Sequence, residues 1–363
     1  MMSQEQFQLW HPSFKLNGLS FDSLQNLNDF LDSIRNEGDQ QERDLAEFMA
    51  DWLSSKPEIE SYTSGTTGTP KKCLLDKQKM RLSAQTTAAF FGLEPGINAL
   101  LCLPLSFIAG KMMVVRALVS GWDLHVVAPT KDALTQYDTA YDFVALVPHQ
   151  LAYSYRALDK VKKLIVGGGV LPNHLEEKLQ QSSVEAYATY GMTETLTHVA
   201  ARRINGAQRS DIYQAMPDVQ FSADKRGCLV IHAPNLLSEP LVTNDLVKII
   251  DIHSFEYLGR IDDVINSGGV KHAPEIIERK LGQYLTGHFV ISSLLHESLG
   301  EQIVLVKDAN GPSKEAIDKA IMNLPSMERP KLIFNLEALP STDTGKIKRK
   351  QLRDLIRNQQ HIA

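Results

Sequence analysis

The chain reads as an α/β protein with a large N-terminal domain of mainly parallel sheets, a β-rich subdomain within it, and a small α+β C-terminal domain. Two patterns and one boundary predict this. Short apolar runs at 99–103, 123–127, 143–147 and 163–166 alternate with helical segments, the rhythm of buried parallel strands joined by helices. Beyond residue 205 the spacing changes to short strands and turns. Leu258-Gly-Arg-Ile-Asp-Asp-Val264 then forms a compact charged segment, and Asn266-Ser-Gly-Gly269 is a strong turn signal, so the domain boundary falls here.

Residues 1–60 are polar and mostly helical in pattern. Leu45, Phe48, Met49 and Trp52 fall at i, i+3, i+4 and i+7, giving one apolar face, and Pro57 stops that helix. Lys77 to Phe91 again looks helical. The most apolar stretch, Ala99 to Gly110, contains Pro104 and ends at Lys111; it is too short to span a bilayer and reads as a buried strand and turn. Helices are expected at Met112–Val119 and Leu175–Gln181. Gly167-Gly168-Gly169 directly follows the apolar run 163–166, a position where open α/β sheets bind ligands, although a tight strand-to-helix turn explains it equally. Gly227–His232 and Leu246–Asp251 are the clearest later strands. The last hundred residues show a helix at Ala273–Tyr284, strands near Phe289–Leu294 and Gln302–Val306, a helix at Lys314–Met322, a strand near Lys331–Phe334 and then a basic tail.

Composition narrows the function. With 363 residues, 43% hydrophobic, the chain is long enough for a large core. A net charge of -5 supplies no basic field, so nucleic acid and anionic membranes are not expected partners and small-molecule chemistry is. Cys73, Cys102 and Cys228 lie far apart with no paired spacing, which suits a reducing cytoplasm. No basic-then-apolar leader is read at the N-terminus, and no membrane insertion is expected.

The chemistry begins at Ser61-Tyr-Thr-Ser-Gly-Thr-Thr-Gly-Thr-Pro-Lys-Lys72. Gly65 and Gly68 allow close backbone approach, while the hydroxyls of Thr63, Ser64, Thr66, Thr67 and Thr69 and the backbone N–H groups offer donors to phosphate oxygens. Lys71 or Lys72 would neutralise charge. The spacing is not that of a Walker loop. Tyr187-Ala-Thr-Tyr-Gly-Met-Thr-Glu194 adds an aromatic ring able to stack on a purine, a glycine for close approach, a threonine for phosphate and a carboxylate able to hold Mg²⁺ against a triphosphate.

Taken in order, these motifs resemble the signatures of the adenylate-forming superfamily. Tyr62 to Lys71 matches [YF]-T-S-G-[ST]-T-G-x-P-K, and Tyr190 to Glu194 matches Y-G-M-T-E. Leu241-Val-Thr-Asn-Asp245 is similar to its T-G-D element with Asn244 replacing glycine. Leu258 to Gly269 resembles its hinge segment, completed by Pro274 and Glu275. Leu339-Pro-Ser-Thr-Asp-Thr-Gly-Lys-Ile-Lys-Arg349 matches P-x-T-x-x-G-K-[IV]-x-[RK]. The resemblance covers Tyr62 to the C-terminus.

This resemblance implies an N-terminal AMP-binding domain at 1–258, a hinge at 259–263 turning on Asp262, and a mobile C-terminal lid domain at 264–363. It implies Lys346 as catalytic lysine, with Thr193 and Glu194 beside it and Glu194 as metal ligand. Nucleotide contacts would come from Thr63, Ser64, Gly65, Thr66, Thr67, Gly68, Lys71, Gly168, Gly169, Tyr190, Gly191, Asp245, taken for the ribose hydroxyls, and Arg260. Gly268 and Gly269 would form the turn brought to the thiol channel. ATP, Mg²⁺ and CoA are the implied cofactor and co-substrates, a small carboxylic acid is the partner, and a homodimer is allowed.

Two departures accompany the match. The superfamily commonly places well over a hundred residues before the phosphate loop, and here the loop begins at residue 62. Leu103-Pro-Leu-Ser-Phe-Ile-Ala-Gly110 carries Phe107 where acyl-CoA ligases often have a histidine near the substrate carboxylate, leaving Phe107, His149 and His198 as acyl-pocket candidates and Arg202 and Arg203 as cation options. Among the branches, the stretch from Gly191 to Arg203 looks most like bacterial o-succinylbenzoate:CoA ligases of menaquinone synthesis, particularly short forms. The alternatives are a ligase for another aryl or short acyl acid, an adenylation enzyme loading a carrier protein, or a nucleotide-binding regulator without catalysis.

Overall fold

The computed structural model describes residues 10–63, 71–342 and 347–360. They fall into two compact units, one formed by Met1–Gly167, Leu179–Gln220 and His232–Pro240, the other by Gly168–Lys178, Phe221–Ile231 and Leu241–Ala363.

The first unit is built on β1 (Lys15–Leu16), β2 (Leu19–Ser20), β3 (Glu58–Thr63), β4 (Lys71–Asp76), β5 (Asn98–Leu101), β6 (Asp123–Val126), β7 (Tyr141–Leu146), β8 (Val161–Val166), β9 (Glu185–Gly191), β10 (His198–Arg203) and β11 (Ile212–Ala215). Its large sheet runs β2-β1-β6-β5-β7-β8-β9-β10-β11. The pairs from β1/β6 through β8/β9 are parallel, while β10 returns antiparallel to β9. The expected parallel strands are therefore present, and their continuous apolar runs follow from burial on both faces. β1 and β2 lie in the stretch read as mostly helical.

Two helices carry the side chains that matter below. Lys77–Phe91 starts at Asp76, whose carboxylate accepts the backbone N–H groups of Gln78 and Lys79, and stops at Gly92 with φ +60°. Ile108–Ser120 is buried from Met112 to Leu118, and that buried run includes Arg116. Among described residues, no helix is long and apolar enough to cross a membrane.

The second unit contains β12 (Gln220–Ala223), β13 (Cys228–His232), β14 (Leu241–Asp251) and β15 (Ser254–Arg260) side by side, then β16 (Ile265–Ser267), β17 (Val270–His272), β18 (Phe289–His296), β19 (Gly300–Lys307) and β20 (Leu332–Asn335). The second group runs β17-β16-β19-β18, with β20 parallel to β19. Alternation along β19 sends Ile303 and Leu305 to a core shared with Ile277 and Leu281 of helix Pro274–Leu281 and Ile317 of helix Lys314–Ile321. Val304 and Val306 face the other way, against Leu352 and Ile356.

That second core corrects one expectation. The basic tail is a helix, Arg349–Gln360, because Leu352 and Ile356 lie four apart on one face and both are fully buried.

Candidate active site

β3 and β4 form an antiparallel hairpin in which Thr63 pairs with Lys71. The loop it closes, with Ser64, Gly65, Thr66, Thr67 and Gly68, lies outside the described residues, as do the side chains of Thr63 and Lys71. The hairpin stem is anchored by Lys111, whose ammonium donates to Ser61 Oγ at 3.0 Å. Burial pulls that ammonium below its usual pKa.

The Tyr-Gly-Met-Thr-Glu motif ends β9 and turns directly into β10. Thr195 holds the turn, accepting from Met192 N–H at 3.0 Å and bonding Thr197 O at 2.7 Å, and Leu196 sits at φ +63°. Gly191 is required here, since a Cβ would lie 2.3 Å from Thr197 O and 2.5 Å from His198 Cα. Tyr190 is half-buried with its ring edge against Tyr213 at 6.0 Å. Thr193 and Glu194 occupy the turn itself, with Glu194 exposed. Burial raises the pKa of the Cys73 thiol on β4, and the Glu194 carboxylate adds to the rise while Lys111 opposes it, which places Glu194 near the phosphate hairpin. One carboxylate suits Mg²⁺ carried on a triphosphate, since that ion keeps several waters and takes one or two protein carboxylates plus phosphate oxygens. Among the described residues no cluster of three ligating side chains forms a separate metal site.

Behind this turn lies the residue that motif reading missed. Arg116 is 2% exposed, and among the described residues no carboxylate pairs with it. Its Nη2 donates to Thr197 Oγ1 at 2.6 Å, its Nη1 reaches Met113 Sδ at 3.6 Å, and its Nε has no partner. Burial alone pulls the guanidinium down to about 9. The signal was a lone charge inside Met112-Met-Val-Val-Arg-Ala-Leu118. His198, 8% exposed, bonds Thr87 Oγ1 at 3.2 Å and Thr197 Oγ1 at 3.3 Å, with its ring edge-on to Phe91. Burial, then Arg116, hold its pKa well below the usual histidine value.

The other candidates are occupied or exposed. Arg203 donates to Asn205 O at 3.0 Å and Tyr187 OH at 3.2 Å and lies 3.3 Å from Glu185, while Arg202 donates to Ser210 O at 3.2 Å. Neither is the unpaired cation a pocket would use. His149 is exposed, edge-on to Tyr153 at 5.1 Å, and Phe107 is half-buried at the start of helix Ile108–Ser120.

In the second unit, Gly168 at φ +81° and Gly169 follow β8. Asp245 on β14 stands opposite Arg260 on β15 and accepts from its Nη1 at 3.3 Å, while Arg260 Nη2 reaches Asp262 at 3.1 Å. Asn244 is accounted for by the same cluster: it donates to Asp262 at 3.3 Å and accepts from Arg226 at 3.1 Å, ties a glycine would lack. Gly268 and Gly269, at φ +60° and +82°, make the turn between β16 and β17.

Lys346 lies outside the described residues, but its flanks are fixed. Ser341 bridges Ile347, and Lys348 N–H donates to Pro340 O at 2.8 Å. Arg349 then binds Glu278 at 3.0 Å, Glu275 at 3.1 Å, Asp263 at 3.7 Å and Ile291 O at 2.9 Å. Those carboxylates raise its pKa against the effect of burial. Glu275 packs so closely on Gly259 (φ +139°) that a Cβ there would lie 2.4 Å from Oε2, which itself has no partner. Burial pushes the Glu275 carboxyl up to about 7; Arg349 pulls it down while Glu278 and Asp263 add to the rise.

Residues 54–221 match the sequence profile described as AMP-binding enzyme. A crystal structure of an acyl-CoA synthetase (AMP-forming)/AMP-acid ligase II-like protein from Dyadobacter fermentans is 31% identical, with a TM-score of 0.61, covering 91% of this chain and 98% of that one. The 2-succinylbenzoate–CoA ligase of Enterococcus faecalis is 26% identical over 326 residues, 79% of this chain and 67% of that protein. The fold is also similar to an E. coli MenE variant with bound OSB-AMS, at 22% identity and TM-score 0.68, covering 83% of this chain and 69% of that one. On these matches the chain belongs to the AMP-binding family of acyl-CoA synthetases.

Proposed function

We propose that this chain is an AMP-forming acid:CoA ligase whose acid is 2-succinylbenzoate. The observation that carries the choice of acid is Arg116, a buried guanidinium with no carboxylate partner among described residues and an unsatisfied Nε. A buried cation without a counter-charge is costly, and an acid with two carboxylates supplies what is missing: one group reacts while the other pairs with Arg116. The name of the Enterococcus faecalis relative points to the same dicarboxylate.

In the first step a carboxylate oxygen attacks the α-phosphorus of ATP, and pyrophosphate leaves. In the second, the CoA thiolate attacks the acyl carbon of the adenylate, and AMP leaves. Magnesium bound on the triphosphate offsets its charge as the two anions meet. The hydroxyl-rich loop from Thr63 to Lys71 and the turn carrying Thr193 and Glu194 steady the phosphates, Tyr190 and Gly191 border the base, and Asp245 accepts the ribose hydroxyls. Arg260 restrains Asp245, while Lys346 neutralises charge between acid and α-phosphate. Residues 259–263 serve as the hinge between an N-terminal domain at 1–258 and a C-terminal lid at 264–363, with Asp262 released from Arg260 and Asn244 when it turns. Three free thiols, with Cys102 pushed up to about 12 by burial, fit a cytoplasmic setting.

The test is pyrophosphate release from ATP and CoA with 2-succinylbenzoate, compared with benzoates and fatty acids. Turnover of those mono-acids without 2-succinylbenzoate would sink the choice of acid. Transfer to a carrier protein in place of CoA would reassign the acceptor.

A further inference from the structure

The cation proposed for the acid's second carboxylate does not stand alone. Thr197 Oγ1 accepts from Arg116 Nη2 at 2.6 Å and lies 3.3 Å from His198 Nδ1. On the other side of the ring, His198 Nε2 is 3.2 Å from Thr87 Oγ1, whose own proton goes to Ser83 O at 3.0 Å. A threonine hydroxyl has one proton to give, and that count fixes every direction in the chain. Thr87 has spent its proton on Ser83, so it accepts from His198, and Nε2 carries the hydrogen. Nδ1 is then bare and accepts the Thr197 proton. The opposite tautomer leaves Thr197 with two donors aimed at it and a hydroxyl proton with no acceptor, and sets Thr87 donating to two acceptors with one hydrogen.

From this geometry we propose that His198 is a positioning residue for acid recognition: locked as the Nε2–H tautomer between Thr87 and Thr197, it orients Arg116 towards the second carboxylate of the acid without touching the acid itself. The inference rests on the functional reading above. The lock spans separate elements, since Thr87 sits on helix Lys77–Phe91, His198 opens β10 and Arg116 lies on helix Ile108–Ser120. The helix that directly follows the phosphate hairpin thereby fixes the rotamer of the recognition cation. Protonation would remove the acceptor at Nδ1 and set a second positive charge beside Arg116, so the relay works only with a neutral ring. A glutamine can offer one acceptor and one donor in the same places, whereas leucine offers neither.

Two measurements test this. Nitrogen-15 spectra of histidine-labelled wild-type protein at neutral pH should show His198, assigned by its loss in His198→Gln, as a neutral imidazole protonated at Nε2; an Nδ1–H tautomer or an imidazolium would overturn the relay. In steady-state kinetics, His198→Leu should raise KM for 2-succinylbenzoate about tenfold while KM for ATP stays within about twofold, and His198→Gln should recover most of the loss. Equal changes in both KM values, or no change in either, would reduce His198 to a packing role. If the wild-type enzyme ignores 2-succinylbenzoate, the functional reading fails, and the tautomer spectrum still decides the relay.

Discussion

Arg116 and Arg349 are both buried guanidinium groups, and their surroundings are opposite. Arg349 is held by Glu275, Glu278 and Asp263, and those charges raise its pKa. Arg116 meets a threonine hydroxyl and a thioether, and burial lowers its pKa to about 9. A cation satisfied by its own chain is a structural clamp, whereas one left without a counter-charge inside a core is a candidate to receive a ligand's charge, the role proposed for Arg116. The two groups therefore predict opposite mutational outcomes.

The largest expected effect is on the clamp. Arg349→Met leaves three carboxylates facing one another with only Arg353 near Asp263, and should destabilise the second unit by about 3–5 kcal/mol, read as a fall in its denaturant midpoint. A loss under about 1 kcal/mol would mean that Arg349 does not hold the helix as its contacts indicate.

Glu275 sharpens the clamp side through pH. Its folded pKa of about 7 lies above the ordinary glutamate value of 4.5, so the folded protein binds the extra proton between those values. Stability from this group is fully present below about 4.5 and is lost as pH rises through 7. Glu275→Gln should remove a fall of about 3 kcal/mol over that window, and an unchanged pH–stability slope would contradict the protonated acid.

The recognition side carries the reverse sign. His198 has a folded pKa depressed below 6.5, so wild-type stability should fall as pH drops below that value, where the unfolded ring takes up a proton that the folded ring refuses. His198→Gln should flatten this smaller acid-side loss, measured by unfolding between pH 7 and pH 5. Identical profiles would mean that the ring accepts a proton in place.

Much of the scaffold was legible in the residues. β7 and β8 announce themselves as apolar runs, and helix Lys77–Phe91 has a capping aspartate before it and Gly92 after it. The helix Arg349–Gln360 was hidden because its polar composition obscures the four-residue spacing of Leu352 and Ile356, and β1 and β2 are two residues each, too short for a pattern. The strings expected to bind nucleotide could be picked out because each is contiguous, with its hydroxyls, glycines and charges side by side in the sequence. The cluster proposed for acid recognition could not be, since Thr87 and His198 are 111 positions apart and Arg116 and Thr197 are 81, distances over which only the fold brings side chains together.

The comparison is tested most directly by one variant read two ways. Arg116→Met, assayed for pyrophosphate release and for unfolding, should raise KM for 2-succinylbenzoate about 10- to 100-fold, the value of a charge-assisted hydrogen bond, while stability holds within about 1 kcal/mol or improves. Unchanged KM for 2-succinylbenzoate together with a loss of several kcal/mol of stability would make Arg116 a structural cation like Arg349, and would remove the ground for a second carboxylate in the substrate.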